Sequence, residues 1–101
     1  MRKIEKTVIG AFIRGESASV DNTNTDGMSL WLHSNLIARR EVDAIRFGNA
    51  GWDTRTTQSR LNALLELTGS GKRVITRDFA QYVIDADGNR EPVKSFTAHT
   101  I

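Results

Sequence analysis

The sequence predicts an α+β fold: a small antiparallel sheet (a meander plus a C-terminal hairpin), one main helix at about residues 54–68 packed on it, and a short N-terminal helix. Three observations carry this expectation. One segment, Gly51 to Gly69, has a helical repeat of leucines between recognisable start and stop residues. Residues 28–47 alternate in short apolar stretches broken by turn residues, and Asp87-Gly88 is a two-residue hairpin signal. At 101 residues, the chain has room for one domain, 1–101, with one modest core.

From the start of the chain, Ile4, Val8 and Phe12 recur every four residues and Gly15 follows as a C-cap, which predicts an amphipathic helix over 3–14. The β-branched Thr7-Val8-Ile9 and the interior Gly10 argue the other way, for a strand. Ser17 to Gly27 is polar and rich in Asn, Asp and Thr, residues that bond their own backbone, and reads as a loop. Asn22 to Gly27 matches the first half of a calcium loop, but His33 stands where the bidentate glutamate belongs, so a hydrogen-bonded turn is expected there.

Next comes the meander. Leu30 and Leu32 share one face of a strand and Trp31 and His33 the other. Ser34-Asn35 is the expected turn, and 36–40 the return strand. After a further turn at Val42-Asp43, Ile45 and Phe47 point inward. Gly48 to Gly51 ends the meander.

In the main helix, Asp53 or Thr54 is the N-cap and Trp52 is placed to staple onto the first turn. Thr57, Leu61, Leu64, Leu65 and Thr68 form the buried stripe; Arg55, Gln58, Ser59, Asn62 and Glu66 form the polar face, with Arg60 at the border and suited to structural pairing. Gly69-Ser70-Gly71-Lys72 lacks the spacing, the following Ser or Thr and the strand-loop-helix order of a phosphate loop. Residues 72–84 read as extended with a break at Arg77-Asp78. The hairpin at Asp87-Gly88 returns along an edge strand marked by Pro92, and 97–101 are expected to fray.

Composition narrows the chemistry. There is no cysteine, so disulfides, thiol catalysis and thiolate metal sites are excluded. His33 and His99 are too far apart in sequence to suggest a zinc set, and no dinucleotide, nucleophile-elbow or metalloprotease motif occurs, so no cofactor and no enzymatic activity are expected. The longest apolar run, Val8 to Ile13, is too short for a membrane span or a signal h-region, which makes a cytoplasmic protein without membrane contact the expectation. Net charge is only +2, yet residues 39–77 carry Arg39, Arg40, Arg46, Arg55, Arg60, Lys72, Arg73 and Arg77 against Glu41, Asp43, Asp53 and Glu66. A mid-chain basic bias of this kind fits either a mixed solvated surface or a nucleic-acid footprint.

The stretches Asn22 to Ala38 and Ala50 to Leu64 together resemble a group of small proteins of tailed bacteriophages. That group reads Asn-Thr-x-x-Asp-Gly, Leu-His-Gly-Asn-x-Ile-Ala and Ala-Gly-Trp-x-Thr-x-Thr-Thr-x-x-Arg-Leu-Asn. This chain departs from it at Ser34, where the group has glycine. The resemblance implies a phage origin and a bacterial host cytoplasm, and carries over no catalytic residue.

The functional expectation is a small phage-encoded binding protein whose partner is a host or phage protein, with DNA or RNA as the alternative. The candidate binding residues are Arg55, Gln58, Ser59 and Asn62 on the helix, Arg39 and Arg46 on the meander, and Trp31 and His33. A third reading, a divalent metal held by Asp21, Asn24 and Asp26, rests on the half-matched calcium loop.

Overall fold

The computed structural model describes residues 1–101 and contains two helices and two antiparallel sheets. Helix α1 is Lys3–Arg14 and helix α2 is Arg55–Leu67. The larger sheet is built from β1 (Ala18–Val20), β2 (Thr23–Thr25), β3 (Ser29–Leu32), β4 (Asn35–Arg40), β5 (Ile45–Phe47) and β9 (His99–Thr100), in that spatial order. The smaller is a meander of β6 (Arg73–Arg77), β7 (Ala80–Ile84) and β8 (Arg90–Pro92).

Helix α1 forms on the expected stripe: Val8 and Phe12 are fully buried, and Gly15 closes the helix in the left-handed conformation at φ 77°. Its last carbonyls are held from outside, because the Arg40 guanidinium donates to the carbonyl oxygens of Phe12 (2.6 Å) and Ile13 (3.0 Å) and lies over the Phe12 ring. Arg40 is therefore a helix cap and does not contribute to a basic surface.

The polar stretch 17–27 is a hairpin, not a loop. Asp21 turns with φ 51°, and β1 and β2 pair as Ala18 with Thr25 and Val20 with Thr23. Thr23 and Thr25 point into the core, a period-2 burial that β-branched residues tolerate well once their hydroxyls find partners. Thr25 Oγ1 donates to the Ser29 carbonyl and accepts from the Gly27 amide. The Asp26 carboxylate accepts the amides of Met28 and Ser29, as a hydrogen-bonded turn requires, and those bonds hold its pKa below the ordinary range.

The meander follows in register, with two adjustments. The β3–β4 turn is His33-Ser34, one residue earlier than expected, and both residues have positive φ (50° and 66°). A bulge leaves Ile37 unpaired between Leu36 and Ala38, so Ile37 and Ala38 are both buried although adjacent. Residues 97–101 do not fray. β9 pairs with β5 and extends the sheet, with His99 buried beside Phe47 at 5.2 Å between ring centres. His99 Nε2 accepts the Lys94 amide, so Nδ1 carries the proton and faces Glu91 at 3.1 Å. Gly48 makes this docking possible, since a Cβ there would lie 2.1 Å from the Phe96 carbonyl oxygen.

Helix α2 begins at Thr54, whose hydroxyl accepts the Thr57 amide, and Leu61, Leu64 and Leu65 are buried as expected. It packs beside α1 and against β6, while α1 covers β1, β2 and β3. Trp52 does not staple this helix: it is 55% exposed. The core joins both helices to both sheets, with Val74 and Val83 supplied by the smaller one.

Candidate functional site

The expected binding residues fall in three separate places. On the outer face of the large sheet, Trp31, Arg39 and Arg46 stand on the side away from Leu30, Ala38 and Phe47. Glu41 neutralises much of this patch by bridging Arg39 (2.8 Å) and Arg46 (3.1 Å), and the two guanidiniums, Arg39 first, draw its carboxyl below the usual range. Trp31 is half-buried over a shallow hollow with Asn24 and Ser34.

The polar face of α2 is mostly committed to the fold. The Asn62 amide reads the β6 edge like a neighbouring strand: Nδ2 donates to the Val74 carbonyl (2.9 Å) and Oδ1 accepts the Val74 amide (2.6 Å). Gln58 accepts from the Thr76 hydroxyl, and the Ser59 hydroxyl donates to Glu5. Arg60 is buried and reaches Glu5, Thr23 and Asn22 at once. Arg55 alone of these side chains is exposed and without a bond. A four-arginine surface of Arg39, Arg46, Arg55 and Arg60 therefore does not exist in this fold.

His33 goes to the third place, a cleft of about 250 Å³ between the β3–β4 turn, the loop 48–54 and the start of α2. Leu32 and Ile37 form its apolar lining together with Trp52, and Asn35, Asn49, Thr54, Thr56 and Thr57 supply amides and hydroxyls. The wall is fixed by Asn49, which is 3% exposed. Its Nδ2 donates to Asp53 (2.8 Å) and Gln81 (3.2 Å), and its Oδ1 accepts the Gly51 amide. Gln81 in turn donates to the Thr54 carbonyl. On the opposite wall the His33 amide bonds the Asn22 carbonyl, and its ring faces the Asn22 side chain at 3.4 Å.

The cleft was not legible as a site from composition. Its lining nevertheless comes from the two stretches that carry the phage resemblance, 22–38 and 50–64, with Asn49 added at the boundary. The pairing of His33 with Trp52, instead of with Trp31, follows from the one-residue shift of the turn, which takes His33 off the strand face. No helix is long and apolar enough to cross a membrane, and the acids and histidines form no cluster of three that could hold a metal. In the half-matched calcium loop, the Asp26 carboxylate is engaged by the amides of Met28 and Ser29.

Residues 1–100 match the family model described as Kyanoviridae Gp96 protein, and the chain belongs to that phage family. Neither the curated proteins nor the solved structures contain a match.

Proposed function

We propose that this member of the Kyanoviridae Gp96 family is a non-enzymatic binding protein that holds a host or phage protein at the Trp52 cleft, within the bacterial cytoplasm. One observation carries the reading: a tryptophan left 55% exposed at the mouth of an apolar cleft whose rim is hydroxyls and amides. Exposing an indole forfeits the burial it could have in the core, and tryptophan is among the residues that dominate binding hot spots. The volume, about 250 Å³, falls below the roughly 300–1,000 Å³ of small-molecule sites and suits one large side chain of a partner. Cleft chemistry is apolar contact and neutral hydrogen bonding, which supports recognition over turnover.

The test is a comparison of wild type with Trp52→Ala in affinity capture from infected cells. Because Trp52 is 55% exposed, the variant loses only part of the indole's burial, about 1–2 kcal/mol, and a melting curve checks that it stays folded. A partner recovered by wild type and lost from the variant is expected. The same proteins captured by both would remove the reading.

The alternative, nucleic acid on the polar face of α2, keeps one supporting feature, the free Arg55 beside the helix N-terminus. Burial of Arg60 and the engagement of Gln58, Ser59 and Asn62 in the fold weigh against it. Absence of any low-salt mobility shift that depends on Arg55 would end it.

A further inference from the structure

The outer face of the small sheet combines unpaired arginines with partly exposed apolar residues. Val74, Gln81 and Val83 turn inward and are buried. By the pleat, their neighbours turn outward: Arg73 opposite Ile84, Ile75 opposite Tyr82, Arg77 opposite Ala80, and Arg90 across from Ile84 on β8. This face therefore carries three arginines around a half-exposed apolar centre, with no carboxylate on it. None of the three makes an ion pair, in contrast to Arg39, Arg46 and Arg60. Of the neighbouring acids, Asp78 lies in the β6–β7 turn, Glu91 is in register with inward-facing Val83 and faces His99, and the Asp85 carboxylate accepts the amides of Asp87 and Asn89.

The aromatic residues are equally unusual. The Arg90 guanidinium lies over the Tyr82 ring at 5.3 Å. Phe79, at the tip of the β6–β7 turn, is 97% exposed and has φ 65°. A bulky aromatic in the left-handed region costs roughly 1–2 kcal/mol, and at this exposure no burial offsets it. Asp78-Phe79 occupies a tight turn in which a glycine would be unstrained. Strain and exposure at one residue, next to unpaired arginines, indicate a ring held out for contact.

We infer that this face, Arg73, Arg77 and Arg90 with Tyr82 and Phe79, binds single-stranded nucleic acid, the arginines taking phosphates and the exposed Phe79 ring taking a base beside the Arg90–Tyr82 stack. Charge complementarity selects the occupant. Arg73 and Arg77 lie about 13 Å apart along one strand, so they follow a backbone and do not converge on a single anion. Bases stack on aromatic faces irrespective of sequence, whereas a duplex keeps its bases away from such a platform. The site is independent of the Trp52 cleft, so either reading can fail without the other.

The experiment is fluorescence anisotropy of the intact protein with labelled oligouridylate and oligothymidylate over a salt series. Binding of either is expected, with a log–log salt slope of about −2 for three phosphate contacts. Phe79→Gly, which relieves the backbone, should weaken binding roughly tenfold while the protein melts no lower. Arg77→Ala/Arg90→Ala should flatten the salt slope. The inference is overturned by any of four results: no binding at about 100 µM and low salt, equal affinity for duplex DNA, equal competition by polyglutamate, or binding unchanged in both variants.

Discussion

Glu5 and Arg60, 55 positions apart, form a buried ion pair: Nη1 to Oε2 is 2.8 Å and each side chain is 3% exposed. The pair ties α1 to α2, and the other guanidinium nitrogens extend it to Thr23 and Asn22 in the first hairpin. Satisfied on all sides, it specifies how three elements meet more than it adds net stability. Arg60→Met strands the carboxylate and should cost about 3–5 kcal/mol in urea denaturation. Adding Glu5→Leu should restore most of that loss. A double variant no better than the single one would show that the hydrogen bonds to Thr23 and Asn22 matter more than the charge pair.

Acid should find this weak point. Burial alone would raise the Glu5 carboxyl; the Ser59 hydroxyl, the Arg2 amide and the Arg60 guanidinium together hold it below its ordinary value of 4.5. A folded value below the unfolded one means stability that is fully present above pH 4.5 and lost as pH falls through the folded value. Melting temperature should therefore decline from about pH 4.5 downward. Glu5→Gln should have a lower but flatter profile in the same window. Identical slopes for the two proteins would exclude Glu5 as the titrating group.

Ser34 has φ 66° in a two-residue turn. Glycine there removes roughly 1–2 kcal/mol of left-handed strain and costs about 0.4–1 kcal/mol through greater freedom of the unfolded chain. Ser34→Gly should thus stabilise by about 0.5–1 kcal/mol, read as a raised urea midpoint at unchanged slope. Any destabilisation would mean that the serine side chain makes a contribution larger than the strain.

Asn62→Ala removes both bonds to the Val74 backbone and leaves a partly buried amide and carbonyl without partners. The cost should be about 1–3 kcal/mol. Hydrogen exchange should localise it, with the Val74 amide losing protection before the amides of β7. Uniform loss of protection across the chain would point to global destabilisation instead.

Legibility in the sequence followed the reach of the interactions. Helix α2 announced itself because Thr54, the leucine repeat and Gly69 act within one segment, and α1 likewise through Ile4, Val8, Phe12 and Gly15. The β1–β2 hairpin did not, because Asn22, Thr23, Asn24 and Thr25 have the composition of a loop. What makes Thr23 a core residue is Arg60, which is 37 positions away. Strand β9 is two residues long and exists only through Phe47 and Arg46. The same limit explains the polar face of α2. Gln58, Ser59 and Asn62 have the composition of a solvated or ligand-binding face, and only the arrival of Thr76, Glu5 and Val74 turns them into structural groups.

Asn49 carries a consequence for the partner proposed at the cleft. Its side chain joins the loop bearing Trp52 to Gln81 of the second sheet, and its amide bonds the Lys94 carbonyl. The wall is thus immobilised before any encounter, and the entropy of ordering it has already been lost in folding. A partner would meet a preorganised socket, associate at a rate set by diffusion and orientation, and leave the backbone where it found it, within about 1 Å. Selectivity would then reside in fit, and the difference between good and poor partners would appear in how long they stay.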